Sequence, residues 1–325
     1  MDEKTCRRGF LALFAGAAVV MASEAAHASL IEEKTVRDAI GTTFALSLRN
    51  APFPSPGAAY VDSTVWVFVP RHFRASPGRE IPMLVHFHGH GSTADRAMAT
   101  HKLREQLVAS RQDAILVVPQ GPVNASDSSC GKLESPGGLA RLLEEVLANL
   151  GTREVTRLVG TTAFERARLG RVCLSAHSGG FHAAAQSLRH GGVEVNEVYL
   201  FDALYAEADV FRDWVIRGKG RSQRARHKLV SYTATGPTEK MNDWLFAELG
   251  RAGVVCEKER VEGTLSREAI TLAEAVLVKT PTAHGAVAFE TSALRDCLYA
   301  SALPRHLDTT WFQAKAGARP IERMR

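Results

Sequence analysis

The chain has 325 residues, of which 45% are hydrophobic and 23% charged, and its formal net charge is +5. That apolar share supports a sizeable core and excludes a disordered chain, and the length suits one large α/β unit as well as two average domains. The basic residues are scattered except over residues 217–228, which read as solvated surface, so no nucleic-acid partner is expected.

The first residues read as a targeting segment. Arg7 and Arg8, followed by Gly9, Phe10 and Leu11, resemble a twin-arginine export signal. An apolar run over residues 11–22 comes next, then Ala26-His27-Ala28, an Ala-x-Ala cleavage pattern. The run is too short to span a bilayer comfortably, so no stable membrane anchor is expected. The pattern predicts a signal peptide over 1–28, a single domain over 29–325, passage through the twin-arginine machinery and a periplasmic or secreted location. Such substrates cross folded, so the fold cannot depend on disulfides made outside. Cys130, Cys173, Cys256 and Cys297 remain after cleavage. Cys173 reads as a buried thiol, a Cys256–Cys297 pairing stays open, and no cysteine spacing suggests a metal site.

Strands are expected over 42–48, 63–70, 81–87 and 114–119, with a helix over 94–110. A long polar loop over 120–135 carries Asn124, Asp127, Ser128, Ser129, Lys132 and Glu134, and leads to an amphipathic helix over 139–150. An apolar segment around Val172–Leu174 runs into Ala176-His177-Ser178-Gly179-Gly180 and then a helical pattern from Phe181. Further strands are expected over 195–201, 227–233 and 272–279, and an added strand or a hairpin over 254–261. Helices fall near 208–217 and 239–251, a terminal helix is expected over 286–303, and 314–325 reads as a polar tail. Strand–helix alternation predicts a mostly parallel, doubly wound sheet.

The apolar strands end repeatedly in polar groups: His86 and His88, Gln120, Ser178, Asp202, and His284 just beyond the last. Ligands bind at the carboxyl ends of strands in open α/β sheets, so this distribution marks a site. A strand turning sharply into a helix at Ser178, among small residues, is the pattern of a nucleophile elbow, with Ala176 in the position of the first glycine.

The elbow, the His86-Phe87-His88-Gly89-His90-Gly91 loop and Leu200-Phe201-Asp202-Ala203-Leu204-Tyr205 together resemble exported bacterial serine hydrolases of the α/β-hydrolase superfamily, over roughly residues 42–303. The resemblance implies a sheet of about eight strands with helices on both faces. It also implies a secreted serine hydrolase that cleaves carboxylic esters, small or polymeric, through a Ser-His-Asp triad and an acyl-enzyme, without a cofactor. Ser178 would be the nucleophile, His284 the base and Asp202 the acid, with Glu239 the competing carboxylate. The oxyanion donors would be the amides of Gly179 and of His90, or else Gly91. His88 would brace its loop, while Phe181, Leu204 and Tyr205 stand where an acyl pocket would lie.

Three rival readings remain at this stage. A peptidase or amidase would use the same groups. His86, His88 and His90 alternate along one segment and would serve a metal-dependent hydrolase if their rings converged. A binding protein without turnover could also occupy this scaffold. The sequence leaves the oligomeric state open.

Overall fold

The computed structural model describes residues 29–74, 78–126, 128–234 and 236–305. The expected signal peptide, Asp127, His306 and the expected tail lie outside the described residues.

Ten strands form one sheet: β1 (Ser29–Arg37), β2 (Gly41–Ser47), β3 (Thr64–Pro70), β4 (Glu80–Phe87), β5 (Ile115–Pro119), β6 (Arg168–His177), β7 (Val195–Phe201), β8 (Lys228–Thr233), β9 (Cys256–Glu259) and β10 (Ala275–Lys279). Their order is β1-β2-β3-β5-β4-β6-β7-β8-β10-β9. The pairs β1/β2, β2/β3 and β3/β5 are antiparallel, and every pairing from β5 to β9 is parallel. The swap of β4 and β5 between the antiparallel start and the parallel remainder is the topology of the α/β-hydrolase fold. Among the described residues the sheet has ten strands rather than about eight. β1 extends the antiparallel end, and β9, within the 254–261 stretch, closes the opposite edge beside β10.

Nine α-helices are described: α1 (Ala94–Thr100), α2 (Leu103–Ser110), α3 (Gly138–Leu150), α4 (Arg153–Val159), α5 (Phe181–His190), α6 (Ala208–Gly218), α7 (Gly236–Arg251), α8 (Arg267–Leu272) and α9 (Ala293–Tyr299). Successive residues of a strand face opposite sides, and the packing follows that period. Met83, Val85, Val172, Leu174, Val198 and Leu200 join one core with α3, α5, α6 and α7. Leu84, Cys173, Tyr199 and Phe201 join a second core on the other face with α1, α2 and α9. Both faces of the central strands are therefore dry, which is why those strands read as continuous apolar runs.

Several expected boundaries shift. The helix over 94–110 divides because Lys102 adopts a left-handed conformation, φ 47°, which an α-helix cannot continue through. The terminal helix shrinks to Ala293–Tyr299, preceded by Ser292 at φ 59° and by a 3-10 turn at His284–Ala286. Leu272 ends α8 rather than starting a strand, so β10 opens at Ala275. All four described cysteines are free thiols, so Cys256 and Cys297 are not paired.

Candidate active site

β6 stops at His177, a 3-10 turn takes Ser178–Gly180, and α5 begins at Phe181. Ser178 sits at φ 52°, a left-handed conformation costly for a residue with a side chain. The turn survives because its neighbours are small. A Cβ on Gly180 would lie 2.4 Å from the Phe87 carbonyl oxygen, and one on Gly89 would lie 2.7 Å from the Ser178 Cβ. Ala176 is fully buried, in register with Phe87 on β4 and Leu200 on β7, where its methyl is accommodated.

His284 follows β10 and reaches back across the strand ends. Its Nε2 lies 3.0 Å from the Ser178 Oγ, and its Nδ1 lies 2.6 Å from the Asp202 Oδ2. A carboxylate only accepts, so Nδ1–H donates to Asp202 and the free Nε2 lone pair faces the serine hydroxyl. Asp202 follows β7, is fully buried and also has a left-handed backbone, φ 45°. Its Oδ1 accepts from the Ala234 amide at 3.0 Å and from the Thr238 hydroxyl. Thr238 is itself held by the Thr233 hydroxyl at 2.7 Å. Burial works against ionisation of Asp202, but the hydrogen bonds from His284, Thr238 and Ala234 outweigh it and hold the carboxyl down to about 2.

Glu239 does not join this set. It lies in the first turn of α7, half exposed, and accepts from the Lys279 ammonium at 2.5 Å. The competing carboxylate is thereby committed elsewhere.

The loop after β4 runs beside the elbow. The Gly91 amide donates to the Val123 carbonyl at 2.7 Å and is not free for a ligand. The His90 amide has no protein acceptor among the described residues, and it lies 3.5 Å from the point where a Cβ on Gly179 would stand. His88 Nδ1 donates to the Gly89 carbonyl at 3.0 Å, while its Nε2 accepts from the Gly121 amide at 2.9 Å. Gln120 completes the brace by accepting from the Ala94 amide at 2.8 Å.

His86, His88 and His90 do not converge. His86 is buried against the Ser175 hydroxyl at 2.7 Å, His88 is consumed by its loop, and His90 Nδ1 faces the Ala125 carbonyl at 3.4 Å. Among the described residues their ring nitrogens form no cluster that a metal could bridge. The strand has turned at Gly89, so the alternation that would align the rings is lost.

A small cavity adjoins the two amides, lined by Phe87, Pro119, Pro122, Leu133 and Ala183 together with Cys130. Tyr205 stands at the other side, its ring 6.4 Å from His284 and 6.2 Å from Phe181. Leu204 is fully buried and belongs to the core instead.

Behind His284 lies a stack of imidazoles that sequence reading did not assemble. His177 Nε2 donates to the His284 carbonyl at 2.9 Å, with the two rings 4.8 Å apart. His101 packs on His177 at 4.6 Å and on His86 at 5.6 Å. These residues are separated widely in the chain, and only their number hinted at a cluster. Burial, with the neighbouring imidazoles adding to it, lowers His101 to about 3. His177 falls to about 4, again through burial first, although its bond to the His284 carbonyl resists the fall. Burial also pushes His86 well below its ordinary value.

No family model matches the chain, and no curated protein matches it. Among solved structures it is similar to an S-formylglutathione hydrolase from Agrobacterium tumefaciens, at 16% identity over 77% of this chain and 89% of that one, with a TM-score of 0.43. It is also similar to the fluorophosphonate-binding serine hydrolase FphF of Staphylococcus aureus, at 11% identity over 80% and 97%, TM-score 0.44. A third is the carboxylesterase EstE1 from a metagenomic library, at 13% identity over 88% and 92%, TM-score 0.42.

Two outcomes are expected from this geometry. Gly180→Ala should destabilise the protein by about 1–3 kcal/mol, because the added methyl meets the Phe87 carbonyl; denaturant melts measure it. The buried histidines are neutral when folded, whereas in the unfolded chain each protonates near its ordinary 6.5. The unfolded state therefore binds more protons below that point, and stability should fall as pH drops from 6.5 towards about 4. Asp202 adds its own loss only below 3.8. Melting temperature against pH reads this directly, and His101→Phe should flatten the slope between those limits.

Proposed function

We propose that the protein is a serine hydrolase that cleaves carboxylic esters through Ser178, His284 and Asp202. The observation that carries this reading is the unbroken chain from the Ser178 hydroxyl through His284 to a buried, ionised Asp202. His284 takes the hydroxyl proton at Nε2 as the Ser178 oxygen attacks the ester carbonyl. The Asp202 carboxylate stabilises the imidazolium that results. The amides of Gly179 and His90 receive the oxyanion of the tetrahedral intermediate, Gly179 with the added field of a helix start. Collapse expels the alcohol, protonated by His284, and leaves an acyl-serine. Water, deprotonated by the same Nε2, attacks that ester and regenerates the hydroxyl. The apolar cavity beside the two amides receives a small part of the substrate and is bounded by the loop over 120–135.

The same proposal places the chain outside the cytoplasm, exported folded through the twin-arginine route with cleavage after Ala28. Four free thiols support a fold that is complete without disulfides.

The test combines fluorophosphonate labelling with a panel of p-nitrophenyl esters of graded chain length and matched anilides. Ser178 should be the labelled residue, and Ser178→Ala should lower kcat/KM by about 10⁴-fold or more. Absence of labelling in folded protein that hydrolyses esters would overturn the serine mechanism. Asp202→Asn should cost on the order of 10³–10⁴-fold in kcat, whereas Glu239→Gln should stay within about threefold of the parent. The reverse ranking would exchange the two carboxylates. Export is read separately: replacing Arg7 and Arg8 by lysine should retain the precursor in the cytoplasm.

A further inference from the structure

A second cluster of reactive side chains borders the cavity through Cys130, outside the Ser178–His284–Asp202 set. Cys130 precedes a 3-10 turn at Gly131–Glu134, and that single turn brings Glu134 back beside it. The Cys130 amide donates to Glu134 Oε1 at 2.6 Å, which fixes the carboxylate against the thiol. From the other side comes His182, in the first turn of α5. The Cys130 Sγ, a Glu134 carboxylate oxygen and a His182 ring nitrogen all lie within 4.8 Å of one another.

His182 is aimed by what stands behind it. Its Nδ1 donates to Glu207 Oε2 at 2.8 Å, so the carboxylate fixes the ring's orientation and leaves Nε2 facing Glu134. Glu207 is in turn immobilised by Gln186 at 2.9 Å and Arg189 at 2.6 Å. His182, Gln186 and Arg189 fall four and three residues apart, on one face of α5. Across the gap, Nε2 and Glu134 Oε1 are 3.8 Å apart, too far for a hydrogen bond. Two donors bound to one ion at about 2.0 Å in tetrahedral geometry are separated by roughly 3.3 Å, so little movement would close the site.

We propose that Cys130, Glu134 and His182 bind one zinc-class divalent ion. A thiolate, an imidazole and a carboxylate are ligands that zinc accepts together, and the carboxylate behind the imidazole is the usual partner of a zinc-bound histidine. Glu134 is on the exposed side, with 42% of its side chain accessible, so water completes the shell there. Binding replaces the S–H bond of Cys130 by an S–metal bond and releases that proton to solvent, with no change of oxidation state. The Cys130 thiol is buried beside the other two ligands, and the metal and the proton compete for its sulfur.

The consequence is mechanical. The loop that walls the cavity would be clipped to the helix that starts three residues after Ser178, across the two elements that already pack together. The ion would thus stiffen the pocket without touching the reacting atoms.

The experiment uses untagged full-length protein freed of metal with a chelator, titrated with Zn²⁺ by calorimetry and with Co²⁺ by absorbance. One equivalent should bind, and Co²⁺ should give a sulfur-to-metal charge-transfer band in the near ultraviolet. Cys130→Ser should abolish that band. Glu134→Gln, at a half-exposed position that leaves the fold intact, should weaken zinc at least tenfold. Glu207→Gln should weaken it by about 10–100-fold while the band persists. Ser178→Ala should bind like the parent, so the result is independent of the hydrolase reading. No saturable Zn²⁺ binding by the parent, a band retained in Cys130→Ser, or unchanged affinity in Glu134→Gln would each overturn the site.

Discussion

A buried negative charge on Asp202 is the constraint around which the site is organised. An isolated carboxylate in a dry crevice would take up a proton, and it would then lose its hold on the imidazolium form of His284. Three donors prevent this: the His284 ring, the Thr238 hydroxyl and the Ala234 amide. They come from two stretches of chain, both distant in sequence from the carboxylate. Asp202 follows β7, Ala234 follows β8, Thr238 stands in the first turn of α7, and His284 follows β10. Adjacent parallel strands bring these three ends together, so the ionised state of one side chain depends on the pairing of β7, β8 and β10.

The opposite side of the site is governed by space. β4 and β6 pair directly, and their carboxyl ends converge until the Phe87 carbonyl nearly touches Gly180. That approach supports the left-handed conformation at Ser178 and brings the His90 amide close to Gly179. The Gly91 amide is used up by Val123, and this bond also tethers the loop after β4 to the loop after β5. The same two loops are joined again by His88 and Gly121. Electrostatic compensation on one side and steric fit on the other therefore meet at Ser178.

The imidazole stack connects the two halves. His177 precedes the serine, yet its ring anchors the backbone of His284, and His101 wedges behind it from the break between α1 and α2. His86 Nε2 and His101 Nδ1 have no hydrogen-bond partner among the described residues. Polar groups buried in this way are kept neutral at a cost in stability, and here they fill space against the segment that carries His284.

The sequence by itself determined the strand ends, the elbow around Ser178 and the order of serine, acid and histidine. These are local signals: an apolar run, a group of small residues, a polar residue where the run stops. Which carboxylate stands against His284 was not local: Asp202 accepts from its Nδ1, whereas Glu239 pairs with Lys279 on a neighbouring strand. Nor was the fate of His86, His88 and His90, whose alternation promised one face until the backbone turned at Gly89. The break at Lys102 and the short last helix depended on single left-handed residues that periodicity does not register. Cys130, Glu134 and His182 carry no recognisable spacing, because two turns from distant parts of the chain create the cluster. Tertiary structure decided each of these points for one reason: hydrogen bonds, close contacts and ligand geometry are set by distances in space, and neighbours along the chain do not fix them.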